Sequence, residues 1–187
     1  MNYQAELLKE HSRSNTDTIA NAIGNNAEEF KKIIDIIYTA EAPLPQRASW
    51  ILAAVNDRYP ELLKPCLSKF IDTINQFKID GIKRNMMLVL ASQRVPKKLQ
   101  GKLVNLCFDL MLSSEETVVV KVHAMQAIAN IAMQHPELKN ELKAAIEDQL
   151  SKTSAAFYAR AKHILKELNI DFRNDLSFSP ICNKKND

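Results

Sequence analysis

The chain has 187 residues, of which 46% are hydrophobic and 25% charged, and its net charge is +3. This length suits one well-buried domain, and the composition is that of an ordinary soluble globular protein. With only 3 glycines and 7 prolines the sequence has little material for β-hairpins or phosphate-binding loops, so it predicts an all-α protein.

The first 25 residues are predicted to form a helical cap. The segment 1–11 is polar and amphipathic and lacks the apolar core of a secretory signal, and a short helix is predicted at 16–23. The longest uninterrupted apolar runs, such as 86–91, are too short to cross a bilayer. The three cysteines, Cys66, Cys107 and Cys182, are odd in number and widely spaced, which favours reduced thiols. We therefore expect a cytoplasmic protein that does not enter a membrane.

From residue 26 onward one pattern recurs. Four segments start with a basic residue (Arg47, Lys83, Lys121 and Arg160) and carry apolar residues at offsets +4 and +8; the basic residues are separated by 36, 38 and 39 positions. Residues four apart share one face of a helix. The pattern therefore predicts four similar helices, which we call the second helices, at 45–58, 82–94, 117–134 and 155–168.

A first helix is predicted before each second helix. Asn26 is suited to cap the earliest one, and Pro60, Pro96 and Pro136 start the others, because the first helical turn tolerates proline. The helix after Pro60 is predicted to run for about four turns with one apolar stripe, formed by Leu63, Leu67, Phe70, Ile71 and Ile74.

The result is about four helix pairs, at 26–59, 60–95, 96–135 and 136–170, within a single domain spanning 1–170. Such pairs bury their apolar faces by stacking on one another. The remaining segment, 171–187, is a polar tail in which Phe172, Phe178 and Ile181 are placed to cover the end of the last repeat.

The second helices resemble those of HEAT repeats. In that family an acidic turn residue precedes an apolar–basic pair and an alanine-rich helix, and here Ile82-Lys83 and Val120-Lys121 supply the pair, with Asp80 and Glu115 as turn acids. Gln46-Arg47 and Ala159-Arg160 match less well. The resemblance covers 26–168 and implies a right-handed α–α superhelix, an armadillo-type solenoid, in which the second helices line the concave surface.

The sequence carries none of the common catalytic motifs. The sequence has no GxGxxG, GxxxxGKS or GxSxG motif and no HExxH, and its four histidines are not paired with cysteines at metal-ligand spacing. His123 and His163 do fall at similar positions on consecutive second helices. The sequence thus predicts no catalytic residue, no metal and no cofactor, and a protein that is not an enzyme.

Charge is distributed unevenly. The four second helices carry nine basic and two acidic residues, so the rest of the chain is mildly acidic. The resemblance assigns Arg47, Lys83, Lys121 and Arg160 to a ladder with the turn acids of adjacent repeats, and the other five cations are either partner-binding or simply solvated. The candidate partner-binding groove comprises Arg47, Trp50, Arg58, Lys83, Arg84, Arg94, Lys121, His123, Arg160, Lys162 and Lys166.

Two functions fit these features. The first is a non-enzymatic scaffold that holds an acidic or extended protein partner in the basic groove. The second is nucleic-acid binding, since HEAT-like DNA-alkylation glycosylases have a similar fold and a basic groove. Those enzymes need several aromatic residues around a catalytic carboxylate, whereas this chain offers one tryptophan, Trp50, and only Asp57 and Asp109 as loosely placed acids. The sequence leaves the oligomeric state open.

Overall fold

The computed structural model describes residues 1–152 and 154–171. Within these residues the protein has ten α-helices and no β-strand, which confirms the all-α prediction. The helices are α1 Tyr3–Lys9, α2 Arg13–Ile23, α3 Ala27–Thr39, α4 Leu44–Arg58, α5 Leu67–Thr73, α6 Asp80–Ser92, α7 Lys97–Leu112, α8 Val118–Ala132, α9 Leu138–Leu150 and α10 Ala155–Glu167. The second helices are therefore α4, α6, α8 and α10, each beginning and ending within two residues of its predicted bounds.

Side-chain caps define where the early helices begin. The carboxamide oxygen of Asn26 accepts hydrogen bonds from the backbone N–H groups of Glu28 and Glu29, as predicted, and so satisfies two donors that the first turn of α3 leaves unpaired. The preceding helix, α2, ends at Gly24, whose φ of +54° is a conformation that glycine adopts at little cost. Asn26 and Gly24 thus set the tight connection between α2 and α3.

The predicted continuous helix after Pro60 is wrong. The chain forms a 3₁₀ helix over Pro60–Cys66, the short α-helix α5, and a second 3₁₀ turn over Ile74–Gln76. Pro65 lies inside the first of these, where it has no N–H to donate and its ring disfavours an α-helical turn before it. The apolar stripe is nevertheless buried as predicted, because 3₁₀ and α turns both bring residues three to four apart to one side.

The chain divides into two compact units, and the first is Met1–Val95. Here α3 packs on α4, the next second helix, α6, packs beside α4, and the cap helices α1 and α2 also rest on α4. Its fully buried side chains include Ile33, Ile51, Leu52, Phe70 and Met86. The first unit is therefore organised around α4.

The second unit begins at Pro96. Within it α7 packs on α8, α9 packs on both of them, and α10 lies against α8 and α9. Each first helix thus contacts its own second helix, and the second helices α8 and α10 are neighbours, as stacked repeats require. Leu103, Met125, Ile128, Ile146 and Phe157 fill this core.

The remaining sequence predictions concern the C-terminal tail and membrane-spanning segments. The tail predicted at 171–187 lies outside the described residues except for Asp171, and so do Phe172, Phe178, Ile181 and Cys182. In the part of the chain that is described, no helix combines the length and apolar character needed to span a bilayer.

Candidate functional site

Arg47, the first of the predicted groove cations, makes contacts inside the first unit. Its guanidinium Nη1 donates hydrogen bonds to the backbone carbonyl oxygens of Leu7 and Leu8, at 2.8 and 3.2 Å. These carbonyls belong to the last turn of α1, where a cation is favourable because C-terminal carbonyl groups lack intrahelical donors. Arg47 therefore holds the cap helix α1 on α4.

Lys121 is buried in the second unit. Its side chain is only 7% exposed, and its Nζ donates a 3.0 Å hydrogen bond to Oε1 of Gln149 on α9. Desolvation lowers the pKa of Lys121, and the negative charge of Glu116 partly opposes that shift. The ammonium thus joins α8 to α9 and presents little surface to an external partner.

Neutral polar side chains connect two second helices of the first unit. The buried amide of Asn85 on α6 donates to the hydroxyl of Ser49 on α4 at 2.9 Å. Further along the same pair of helices, Asn56 donates to Ser92 at 2.9 Å and accepts from Gln93 at 2.7 Å. An amide–hydroxyl ladder therefore links α4 to α6. Sequence reasoning missed it, although Ser49 and Asn85 occupy the same repeat offset.

Trp50 and Arg58 line a depression between α2 and α4 of about 260 Å³. The Trp50 ring is half-buried and meets the ring of His11 edge-on, with 4.1 Å between centroids. The Arg58 guanidinium forms a 2.6 Å ion pair with Asp17, and Arg13 and Asp57 also line the depression. Opposite charges balance here, so this depression is not a basic surface.

Five further cations of the predicted groove lie at half-exposed or exposed positions. Lys83 and Arg84 on α6 are half-exposed, and Arg94, Lys162 and Lys166 are exposed. The first three belong to the first unit and the last two to the second. Each unit therefore presents several basic side chains on or just after its second helices.

The predicted residues His123 and Arg160 lie together in the second unit. They line an open depression of about 630 Å³ between α8 and α10, which we call the α8–α10 groove. Nη1 of Arg160 reaches across to Oε1 of Gln126 at 3.3 Å, a long hydrogen bond. The groove is lined by Val118, Val119, Val122, His123, Ala156, Ala159, Arg160 and His163.

The floor of the α8–α10 groove was missed from the sequence. It consists of the aliphatic side chains Val118, Val119, Val122, Ala156 and Ala159, and Val119 is 45% exposed. The available signal was that α8 is apolar on nearly all sides, whereas a helix with one buried face normally carries polar residues on the other. The expected basic surface is thus partly apolar at this position.

The two described thiols show no sign of activation. Cys107 is fully buried and Cys66 is half-exposed, and neither forms a disulfide. Burial raises the pKa of both thiols, and for Cys66 the nearby charge of Lys69 only partly opposes the effect. Over 1–152 and 154–171 there is also no group of three or more side chains suited to hold a metal ion.

Comparison with known proteins identifies the family of the chain. No curated protein sequence matches it. A family model described as a HEAT repeat domain matches residues 3–168, which is most of the chain. The match extends past the predicted repeats to include the cap helices α1 and α2. The stacked helix pairs and this match together show that the chain belongs to the HEAT repeat family.

Proposed function

We propose that this protein is a non-catalytic scaffold whose second helices bind an acidic, extended segment of a protein partner. The observation that carries the proposal is that Arg94, Lys162 and Lys166 are exposed and Arg84 is half-exposed, on or beside the second helices of each unit. HEAT repeat proteins are helical scaffolds that commonly take part in protein interactions. Exposed charge of one sign raises the local concentration of an oppositely charged partner.

The proposal leaves out three predicted groove cations that are engaged within the fold. Arg47 is engaged by carbonyl groups of α1, Arg58 by Asp17, and Lys121 is buried against Gln149. These three side chains make contacts within the fold, and the proposal assigns the partner to the other cations. The proposed binding surface therefore excludes three of the eleven residues predicted for the groove.

The absence of catalysis is part of the proposal and has its own support. Among the described residues, the pKa values of both thiols are raised rather than lowered, and no metal-ligand cluster is present. Free thiols also suit a reducing compartment, so the cytoplasm remains our prediction for the location of the protein.

Nucleic-acid binding is the second candidate. It is favoured by one observation, that Trp50 lines a depression together with the cations Arg13 and Arg58. Base stacking on an aromatic ring next to cations is the usual way to hold single strands. Against it, the depression offers one aromatic side chain and two carboxylates, which repel phosphate.

Charge reversal tests the proposal. Glutamate at Arg84, Arg94, Lys162 and Lys166 should abolish binding of a glutamate-rich peptide and leave the melting temperature nearly unchanged. The matched control places glutamate at four exposed lysines outside the second helices and should keep binding: Lys31, Lys78, Lys97 and Lys98. Equal binding by both variants would refute the proposal.

Salt dependence separates the two candidates. When basic side chains neutralise several phosphates of a bound oligonucleotide, counterions are released. The binding constant then falls with salt concentration at a log–log slope of about −0.7 to −0.9 per phosphate contact. Binding of a protein segment that also buries apolar surface weakens less. The nucleic-acid candidate would be favoured if an oligonucleotide bound tightly with a steep salt slope and if Trp50→Ala abolished that binding.

A further inference from the structure

The α8–α10 groove has a feature that the proposed basic surface does not explain. Val119 is 45% exposed, and Val118 and Val122 beside it line the same depression. Three neighbouring valines at the start of one helix contribute apolar surface that water solvates poorly. Clustered exposed apolar side chains rimmed by polar ones mark interaction sites on soluble proteins.

Helix α10 adds further apolar surface. Ala156 and Ala159 on α10 also line the groove, and their side chains are small. The volume, about 630 Å³, lies within the range of about 300–1,000 Å³ that is typical of binding clefts. The groove is thus large enough to take aliphatic side chains from a partner segment.

The ionisable groups that line the groove are all basic. They are His123, Arg160 and His163, and no carboxylate is among the lining residues. A guanidinium has five N–H donors, and the described hydrogen bond of Arg160 to Gln126 uses one of them at a long 3.3 Å. His163 also lies 3.5 Å from the carboxylate of Glu167, one turn further along α10. The edge of the groove can therefore accept carboxylates while its floor accepts aliphatic groups.

We infer that the α8–α10 groove is the docking site for an extended acidic protein segment that carries aliphatic side chains between its carboxylates. The aliphatic side chains pack on Val118, Val119 and Val122, and a neighbouring carboxylate pairs with Arg160. This inference rests on the proposed function and names the part of the surface that selects the partner. Nucleic acid fits less well, because no Trp, Tyr or Phe side chain lines the groove for base stacking.

Substitution of Val119 by glutamine tests whether the apolar side chains of the α8–α10 groove bind the partner. Glutamine is a better helix former than valine, so the variant should fold normally and lose only apolar surface. The matched control is Met133→Gln, a change at another exposed apolar side chain beside the end of α8. The probes are two peptides of about a dozen residues, one of glutamate and leucine and the other with serine in place of leucine.

The inference predicts that wild type binds the leucine peptide about tenfold more tightly than the serine peptide. It also predicts that Val119→Gln removes this preference while Met133→Gln keeps it. Equal binding of both peptides by wild type, or a preference that survives Val119→Gln, would overturn the inference and leave the proposed function standing. If neither peptide binds, or a charge-matched oligonucleotide binds more tightly and is insensitive to Val119→Gln, the proposed function fails as well.

Discussion

The amide of Asn85 on α6 donates a 2.9 Å hydrogen bond to the hydroxyl of Ser49 on α4, and the two residues are 36 positions apart. Both lie two residues after the basic residue that starts their repeat, and both are buried, at 5% and 0% exposure. Repeat-equivalent positions on adjacent second helices thus bond directly to each other. Such a pair is satisfied only when the repeats are in register.

Removal of the Ser49 hydroxyl should therefore be costly. In Ser49→Ala the buried Asn85 amide loses its acceptor, and we expect the free energy of unfolding to fall by about 1–3 kcal/mol. Chemical denaturation measures the loss, and Ser68→Ala on the exposed side of α5 is the control. The double variant Ser49→Ala, Asn85→Ala should lose less than the sum of the single changes; strict additivity would mean that the two residues are not coupled.

A charge introduced into the core of the second unit should lower the free energy of unfolding more than Ser49→Ala does. Leu106 on α7 is 8% exposed, and Leu106→Asp would place a carboxylate among apolar side chains. We expect a loss of about 3 kcal/mol or more, visible as a large drop in melting temperature. The adjacent exposed position provides the control, since Asn105→Asp should change stability by less than about 0.5 kcal/mol. Similar melting of both variants would show that Leu106 is not in the core.

The contact of Arg47 with α1 predicts a local effect. In Arg47→Gln the carbonyl groups of Leu7 and Leu8 lose their hydrogen bonds to the charged guanidinium. A hydrogen bond to a charged group typically contributes about 1.5–3 kcal/mol. Hydrogen exchange of the α1 amides should accelerate, whereas amides of α8 should keep their rates. Arg94→Gln, at an exposed position, serves as the control and should leave α1 protected. Unchanged exchange in α1 would show that other contacts hold it.

Tyr3 predicts a dependence on alkaline pH. Burial and its 2.6 Å hydrogen bond to Glu29 raise the pKa of Tyr3 from 10.0 to about 12. The folded state therefore keeps the phenol protonated where the unfolded chain would lose the proton. This contribution to stability is fully present below pH 10 and is lost as the pH rises towards 12.

The measurement compares wild type with Tyr3→Phe, which has no phenol to ionise. The wild-type free energy of unfolding should fall more steeply between about pH 10 and about pH 12 than that of the variant. The other tyrosines and the lysines are present in both proteins, so the difference in slope isolates Tyr3. Parallel pH profiles would contradict the assignment.

The sequence by itself determined the helical fold and the positions of the second helices. The reason is that apolar spacing, caps such as Asn26, and a recurring basic residue are local signals, and each one acts within a few turns of the chain. The same local signals gave a wrong prediction after Pro60. An intact apolar stripe indicated a continuous helix there, but Pro65 disfavours an α-helical turn before it.

Only the tertiary structure decided what each side chain does. Arg47 and Lys121 share one repeat position, yet Arg47 binds carbonyl groups of α1 and Lys121 is buried against Gln149. Likewise, Val118, Val119 and Val122 of α8 are apolar like core residues, yet they line an open groove because α10 packs against α8 without covering them. These outcomes depend on which helix arrives from elsewhere in the chain, and residue spacing within one helix carries no information about that neighbour.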